Sequence, residues 1–159
     1  MGSTFYTNQF GQQVAVGDAD LGIVQTGSLA GIVSPNQASP AVTIPAGAPA
    51  KIDTTITSGY IVNFLQAGIT DVAIGTFKRT STAGTFALLQ QVEVAIFGGP
   101  VVWLLANATI TPGQTVYQDT NNLVVGTGGG AKSRGIALDY AVAGQVLRVL
   151  LVSAVGISA

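Results

Sequence analysis

The segment ITPGQTVYQDTNNLVVG, residues 110–126, places two short runs of β-forming residues between turn-forming residues. The runs QTVYQD (114–119) and NLVVG (122–126) contain Val, Thr and Tyr, which favour strands. TPGQ, at the start of the first run, has Pro at its second position and Gly at its third, which is the sequence of a type II turn. The segment therefore predicts two strands bounded by tight turns.

The same pattern continues on both sides of this segment, over residues 51–159. Further β-type runs recur between turns, and they are IDTTITSG, YIVNFLQ, DVAIGTFKR, VVWLLANATI, RGIALDY and QVLRVLLVSAV. Short strands at this spacing are typical of an all-β sandwich or a small β-barrel. Residues 85–97 are mixed. We expect a short helix over 85–91, where Phe86 and Leu89 can share a face, and a strand over 92–97, where the residues alternate.

Residues 1–50 differ from the rest because they hold four of the six prolines, Pro35, Pro40, Pro45 and Pro49. Pro fixes its own φ and pushes the preceding residue towards extended geometry. We therefore expect an extended N-terminal arm over 1–50 and a β-domain over 51–159. Aromatic anchors dominate the energetics of interfaces, so the apolar side chains of the arm are the predicted partner contacts. These are Phe5, Tyr6, Phe10, Leu21, Ile23 and Leu29.

Charged residues make up only 8% of the chain, with six Lys and Arg and seven Asp and Glu, against about 25% in a typical domain. A surface with so few charges is usually covered by another protein, so we expect a homo-oligomer or a component of a larger assembly. The net charge of -1 provides no field that attracts a polyanion, and we expect no nucleic-acid binding. No apolar run reaches the length of a bilayer span, and we expect no membrane insertion.

The chain offers few groups for catalysis. It has no Cys and no His, which removes thiol chemistry, the commonest general base and the commonest transition-metal ligand. A glycosidase needs two carboxylates that face each other, whereas the acidic residues after Asp20 are scattered singly. Asp18 and Asp20 could contact a hard cation, but a solvated turn is the simpler interpretation. We expect no enzymatic activity, no metal and no cofactor.

The loop GTGGGAKSRG, residues 126–135, is close to a phosphate-binding loop. Gly126, Lys132 and Ser133 fit the pattern G-x-x-x-x-G-K-[ST], but Ala131 replaces the second Gly. Such a loop also needs a helix after it, since the helix N-terminus holds the anion, and the following residues show no helical periodicity. We interpret it as a Gly-rich hairpin loop with Lys132 and Arg134 at its tip.

Residues 110–152 resemble the closing section of the small decoration or cement proteins of tailed-phage capsids. The shared features are a G-x-x-V-Y-x-D strand at 113–119, an Asn turn at 121–122, a Gly-rich loop at 126–130, a G-x-A-x-(D/E) strand at 135–139 and an A-x-x-G-x-x-x-R-V strand that begins at Ala141.

This resemblance implies a non-enzymatic structural protein on the outer capsid surface of a bacteriophage virion. Such proteins often form homotrimers, bridge neighbouring major capsid proteins and stabilise the shell. Two alternatives remain open from the sequence. One is another structural subunit of the phage, such as a tail or adaptor protein, and the other is a carbohydrate-binding or hydrolytic β-module.

Overall fold

A computed structural model describes residues 5–7, 13–15, 27–38, 43–57, 59, 61–80, 84–96, 100–119 and 123–152. In these residues the chain is all-β, as the sequence predicts, and contains no helix. The strands are β1 (Phe5–Thr7), β2 (Gln13–Ala15), β3 (Ser28–Val33), β4 (Thr43–Pro45), β5 (Pro49–Ile52), β6 (Asn63–Gln66), β7 (Gly75–Phe77), β8 (Thr85–Ala87), β9 (Gln91–Ile96), β10 (Val101–Leu105), β11 (Thr115–Gln118), β12 (Val124–Val125), β13 (Ser133–Ala137) and β14 (Val146–Leu150).

Residues 27–96 form a closed five-stranded barrel, which we call unit 1, in the order β3-β6-β5-β7-β9. β3 and β6 are parallel, and the other pairs are antiparallel. Three aromatic rings lie in its core, with Phe77 6.2 Å from both Phe64 and Phe86. β4 and β8 form a separate ribbon, whose Ile44 and Phe86 are fully buried in the same core.

Residues 100–152, which we call unit 2, form a five-stranded sheet in the order β10-β14-β13-β11-β12. Ala106, directly after β10, makes a parallel bridge to Val124 of β12, so this sheet curls back on itself. Its core contains Val102, Leu104 and the other buried apolar residues of the unit, together with Ala95 from β9 of unit 1. The two units therefore share packed surface.

The two units have the same topology. In each, the first of the five barrel strands is parallel to the third and antiparallel to the fifth. The second strand pairs with the third and the fourth, and the fourth pairs with the fifth. Even the β4-β8 ribbon of unit 1 has a counterpart, since Ile44 opposite Phe86 corresponds to the bridge between Ile110 and Ala141.

Backbone hydrogen bonds repeat at matching positions and fix the correspondence between the units. Val33 N donates to Gln90 O as Ala106 N does to Gln145 O, Gly47 N donates to Phe77 O as Gly113 N does to Ala137 O, and Lys78 N donates to Glu93 O as Leu138 N does to Arg148 O. The matching segments are 27–34 with 100–107, 44–53 with 110–119, 75–78 with 135–138, and 86–96 with 141–151. The chain is thus an internal duplication of one barrel.

Tight turns with a positive φ at the third residue precede the second and the fifth strand of each unit. Gly takes this position three times, as Gly47 (φ 88°), Gly113 (φ 82°) and Gly144 (φ 85°). The turn predicted at TPGQ is confirmed, because Gln114 N donates to Thr111 O and Gly113 supplies the left-handed residue. In the fourth turn the residue is Leu89, at φ 61°, and its side chain is 62% exposed.

Replacement of Leu89 by Gly is expected to stabilise the chain by about 0.5–1 kcal/mol. A left-handed conformation costs a residue with a Cβ about 1 kcal/mol, and an exposed Leu loses little packing. Gly144→Ala, in the matching turn, is the mirror control and should destabilise by about 1 kcal/mol. Urea unfolding measures both changes, and a Leu89→Gly variant that unfolds at lower urea than the parent would contradict the expectation.

The structure corrects the predicted arm and the predicted helix. Residues 27–38 and 43–50 are not an arm, because they supply β3, β4 and the start of β5 to unit 1, and Val33 is fully buried there. Residues 85–91 are not helical, because β8 and the Leu89 turn occupy them, while the strand expected over 92–97 is present as β9. The run IDTTITSG is not a strand along its length, since β5 ends at Ile52 and Asp53 opens a turn.

Candidate interaction surface

The N-terminal segment contains an antiparallel ribbon of β1 and β2, in which Tyr6 lies opposite Val14. This ribbon is a sheet of its own and joins neither barrel. Tyr6 is half-buried, and Phe5 lies on the same strand. Three of the predicted partner contacts, Phe10, Leu21 and Ile23, lie outside the described residues.

Leu29 is part of unit 1 and not of an arm, and its contact with a partner stays a prediction. Leu29 lies on β3, opposite Val94, and its half-buried side chain packs against the core of unit 1. Leu29 belongs to the apolar run LAGIV, residues 29–33, which lies in the predicted arm. Its alternate residues instead fill the barrel from the first strand.

Charged side chains of the described residues are largely neutralised within the fold. Lys51 Nζ lies 2.6 Å from Asp71 Oδ2, and Lys78 Nζ lies 3.2 Å from Glu93 Oε2. The hydrogen bond from Lys51 lowers the pKa of Asp71. Few charges are therefore left to solvate the exterior, which favours contact with another protein.

Arg148 and Asp139 form a further ion pair on unit 2. Arg148 Nη2 donates to Asp139 Oδ1 at 2.7 Å, and its Nε donates to Oδ2 at 2.9 Å. Burial alone would raise the pKa of Asp139, but the hydrogen bonds from Arg148 outweigh it and lower the pKa. The Arg148 guanidinium also lies 6.0 Å from the centroid of the Trp103 ring.

Asp53 and Asp119 occupy matching positions and have matching structural roles. Asp53 accepts a hydrogen bond from Ser34 Oγ at 2.5 Å, and further ones from Thr55 and Asn36, which together hold the pKa of Asp53 well below its usual range. Asp119 accepts one from Asn107 Nδ2. Each carboxylate thus ties the end of the second strand of its unit to the residues that follow the first strand.

Arg134 is buried between the units, which corrects its predicted place at the tip of an exposed loop. It is 1% exposed; Nη2 donates to Thr76 Oγ1 at 2.7 Å and to Gly47 O at 3.0 Å, and Nη1 donates to Gln118 Oε1. Burial lowers the pKa of Arg134 to about 9, so the guanidinium is protonated at neutral pH. The cation therefore links Thr76 and Gly47 of unit 1 to Gln118 of unit 2.

The loop before Arg134 connects β12 to β13 and is not a hairpin, because both strands pair with β11. No helix follows the loop, as expected, since Ser133 opens β13. Lys132 is half-buried, and its N donates to Ile69 O of unit 1. A phosphate-binding loop needs a helix at this place, and the chain has the strand β13 there.

An apolar groove of about 450 Å³ lies along β3, and we call it the β3 groove. It is lined by Ala30, Gly31, Ile32, Ile61, Val62, Leu89 and Gln91, none of which carries a charge. Ile61 is 60% exposed and Leu89 is 62% exposed. The sequence does not reveal this groove, because its lining residues come from three separate segments. The local feature that marks it in the structure is Leu89, an apolar residue with a left-handed backbone conformation.

No group of three or more acidic, His or Cys side chains in the described residues is arranged to hold a metal ion. The same residues include no helix that could cross a membrane.

Comparison with known proteins gives a structural neighbour. No family model matches the sequence, and no curated protein matches it. The chain is similar to the crystal structure of the head fiber gp8.5 N base of bacteriophage phi29, with a TM-score of 0.52 and 12% sequence identity. The match covers 83% of this chain and 98% of that chain. At this level of identity the likeness shows that the two chains share a fold.

Proposed function

We propose that the chain is a structural protein of a bacteriophage virion, which decorates the outer capsid surface and cements it by bridging neighbouring major capsid proteins. The observation that carries this proposal is the fold shared with the phi29 head fiber base, which extends over 98% of that chain. The resemblance of residues 110–152 to phage decoration proteins supports the same class.

The surface is consistent with a role in contact. The ion pairs of Lys51, Lys78 and Arg148 use six of the thirteen charged side chains, while Ile61, Val72 and Leu89 stay exposed. A protein that binds the assembled shell, and not its free subunits, stabilises the shell by mass action, by about 2.7 kcal/mol per site at a hundredfold excess over Kd. The proposal assigns the carboxylates structural roles and needs no enzymatic chemistry. It includes a homo-oligomer, and we favour three copies.

Addition of the purified chain to shells that lack it tests the proposal. We expect binding that saturates at a fixed number of copies per shell and a higher temperature of shell disruption. Cosedimentation measures the first result, and scanning calorimetry measures the second. Shells that bind no chain and melt at an unchanged temperature would exclude a cementing role.

A base for a projecting fibre is the second candidate, and the near-complete coverage of the phi29 base favours it. The two candidates differ in what the bound protein carries. Electron microscopy of labelled virions should show the chain at the foot of a projection if it is a fibre base. A cement protein should instead lie flat between capsid proteins.

A further inference from the structure

The first strand of unit 1 is paired over only part of its outer edge. β9 pairs with β3 from Ser28 to Ile32, whereas on the other side β6 pairs with it only at Ile32 and Val33. Ile32 N donates to Val62 O on that second side. Because backbone groups alternate along a strand, those of Ala30 point to the same side, where the described residues give them no strand partner. An open edge of this kind accepts an added strand.

The duplication shows what unit 1 lacks at this edge. Ala30 lies opposite Glu93, and the matching pair in unit 2 is Trp103 opposite Arg148. Trp103 is only 8% exposed, so unit 2 fills this position with its own indole. Ala30 is exposed and belongs to the β3 groove. At Ala30, unit 1 therefore has room for an aromatic side chain, and the backbone there is free to pair with an added strand.

The N-terminal ribbon supplies both of these features. β1 is FYT, with two aromatic residues, and it pairs with β2 alone. An isolated two-stranded ribbon is marginally stable in water, so it gains by packing on a surface. Residues 16–26 link it to β3 and span at most about 40 Å when extended, which is long enough to reach a neighbouring molecule.

We propose that the β1-β2 ribbon of a second copy of the chain docks in the β3 groove. β1 adds to the open edge at Ala30, and an aromatic side chain of β1 takes the place that Trp103 fills in unit 2. A second copy is the occupant because, in the described residues, the ribbon of the same chain pairs with no strand of unit 1 and Tyr6 does not line the groove, so the chain leaves its own edge at Ala30 open. This assembly forms without a capsid, so an experiment on the purified chain can contradict it without contradicting the proposed function.

Sedimentation of the purified full chain tests the assembly, with variants that alter one partner surface at a time. Ala30→Trp fills the groove as Trp103 does in unit 2, and the double change Phe5→Ala and Tyr6→Ala removes the inserted aromatics. Each should weaken self-association at least tenfold. Leu89→Gly removes a groove wall while stabilising the fold, so its weaker association cannot come from unfolding. Val72→Gln changes an equally exposed residue outside the groove and is the control, with no change expected.

Mixing gives a sharper result. The Ala30→Trp chain keeps its ribbon, and the Phe5→Ala, Tyr6→Ala chain keeps its groove, so the mixture should form dimers that neither variant forms alone. The absence of such dimers would overturn the proposal, as would a parent chain that stays monomeric at high concentration.

A disulfide test separates a second copy from the same chain. The chain has no Cys, so Tyr6→Cys and Ala30→Cys introduced together give the only thiols. Oxidation should link these positions between copies, which yields a dimer on a non-reducing gel. A linked monomer would place the ribbon in its own groove and would overturn the intermolecular docking. Tyr6→Cys with Val72→Cys is the matched control and should stay unlinked.

Discussion

Alanine at position 75 is expected to destabilise the chain by roughly 3–5 kcal/mol, although the change adds a single methyl group. Gly75 is the first residue of β7, where it lies directly opposite Ile96 of the neighbouring strand β9. A Cβ at this position would clash with Ala95 O and lie 2.8 Å from Ala95 C, and both are backbone atoms that cannot rotate away. Relief would require β7 and β9 to separate, and that would break the barrel.

The matching residue of unit 2 should behave in the same way. A Cβ on Gly135 would clash with Leu150 O and lie 2.8 Å from Val149 Cγ1. Gly135→Ala is therefore expected to cost about as much as Gly75→Ala. Equal costs are expected from the matching topology, since both glycines lie where the fourth strand approaches the backbone of the fifth most closely.

Urea unfolding measures these losses, and Gly68→Ala is the matched control. A Cβ on Gly68 would lie 3.5 Å from Asp71 Oδ2, an ordinary contact, and its change should cost under about 0.5 kcal/mol. If Gly75→Ala unfolded at the same urea concentration as Gly68→Ala, the close approach of β7 and β9 would be refuted.

Arg134→Ala is the second large effect and should also cost about 3–5 kcal/mol, because removal of one side of a buried charged network leaves its partners unpaired. Gln118 Oε1, Thr76 Oγ1 and Gly47 O would each lose a donor, and a cavity would replace the guanidinium. The matching residue of unit 1 is the apolar Ile74, directly before Gly75. The cation is thus a feature of the junction and not of the barrel itself.

Apolar replacements in the network distinguish the contribution of the Arg134 charge and hydrogen bonds to stability from the contribution of its side-chain volume. Arg134→Met keeps most of the side-chain volume but leaves the three acceptors without a donor. We therefore expect a loss of stability smaller than that of Arg134→Ala. When Thr76→Val and Gln118→Met are added, two of the three acceptors are removed, and the loss should shrink to about 1–3 kcal/mol, the cost of leaving Gly47 O buried without its donor. An Arg134→Ala variant as stable as the parent in calorimetry would show that the units do not depend on this link.

Local signals in the sequence predicted the strands and the turns well. TPGQ gives its turn from two residues alone, and most β-type runs after residue 60 are strands in the structure. The prolines misled the interpretation of residues 1–50, because the extended geometry that they favour was assigned to an arm and not to strands of the barrel. Pro45 ends β4, and Pro49 begins β5, which are places where a strand tolerates a missing donor.

Long-range features were beyond the reach of the sequence. The segments 44–53 and 110–119 share only Ile, Gly and Asp at matching positions, so the duplication shows in hydrogen bonds and not in residue identity. Arg134 follows a Gly-rich loop and has the local pattern of an exposed cation. Its burial depends on Gly47 and Thr76, which are distant in sequence. The β3 groove was missed for the same reason, since its walls come together only when the barrel closes.

Because the chain contains the same topology twice, the two units can take different roles, one in packing and one in recognition. Unit 2 fills the position that matches Ala30 with the indole of Trp103, whereas unit 1 leaves that position open, so unit 1 can vary it for recognition while unit 2 keeps its own packing. In any ring built from such subunits, units filled by Trp103 and units open at Ala30 would alternate around the circumference. A partner would then meet half as many docking positions as there are barrels.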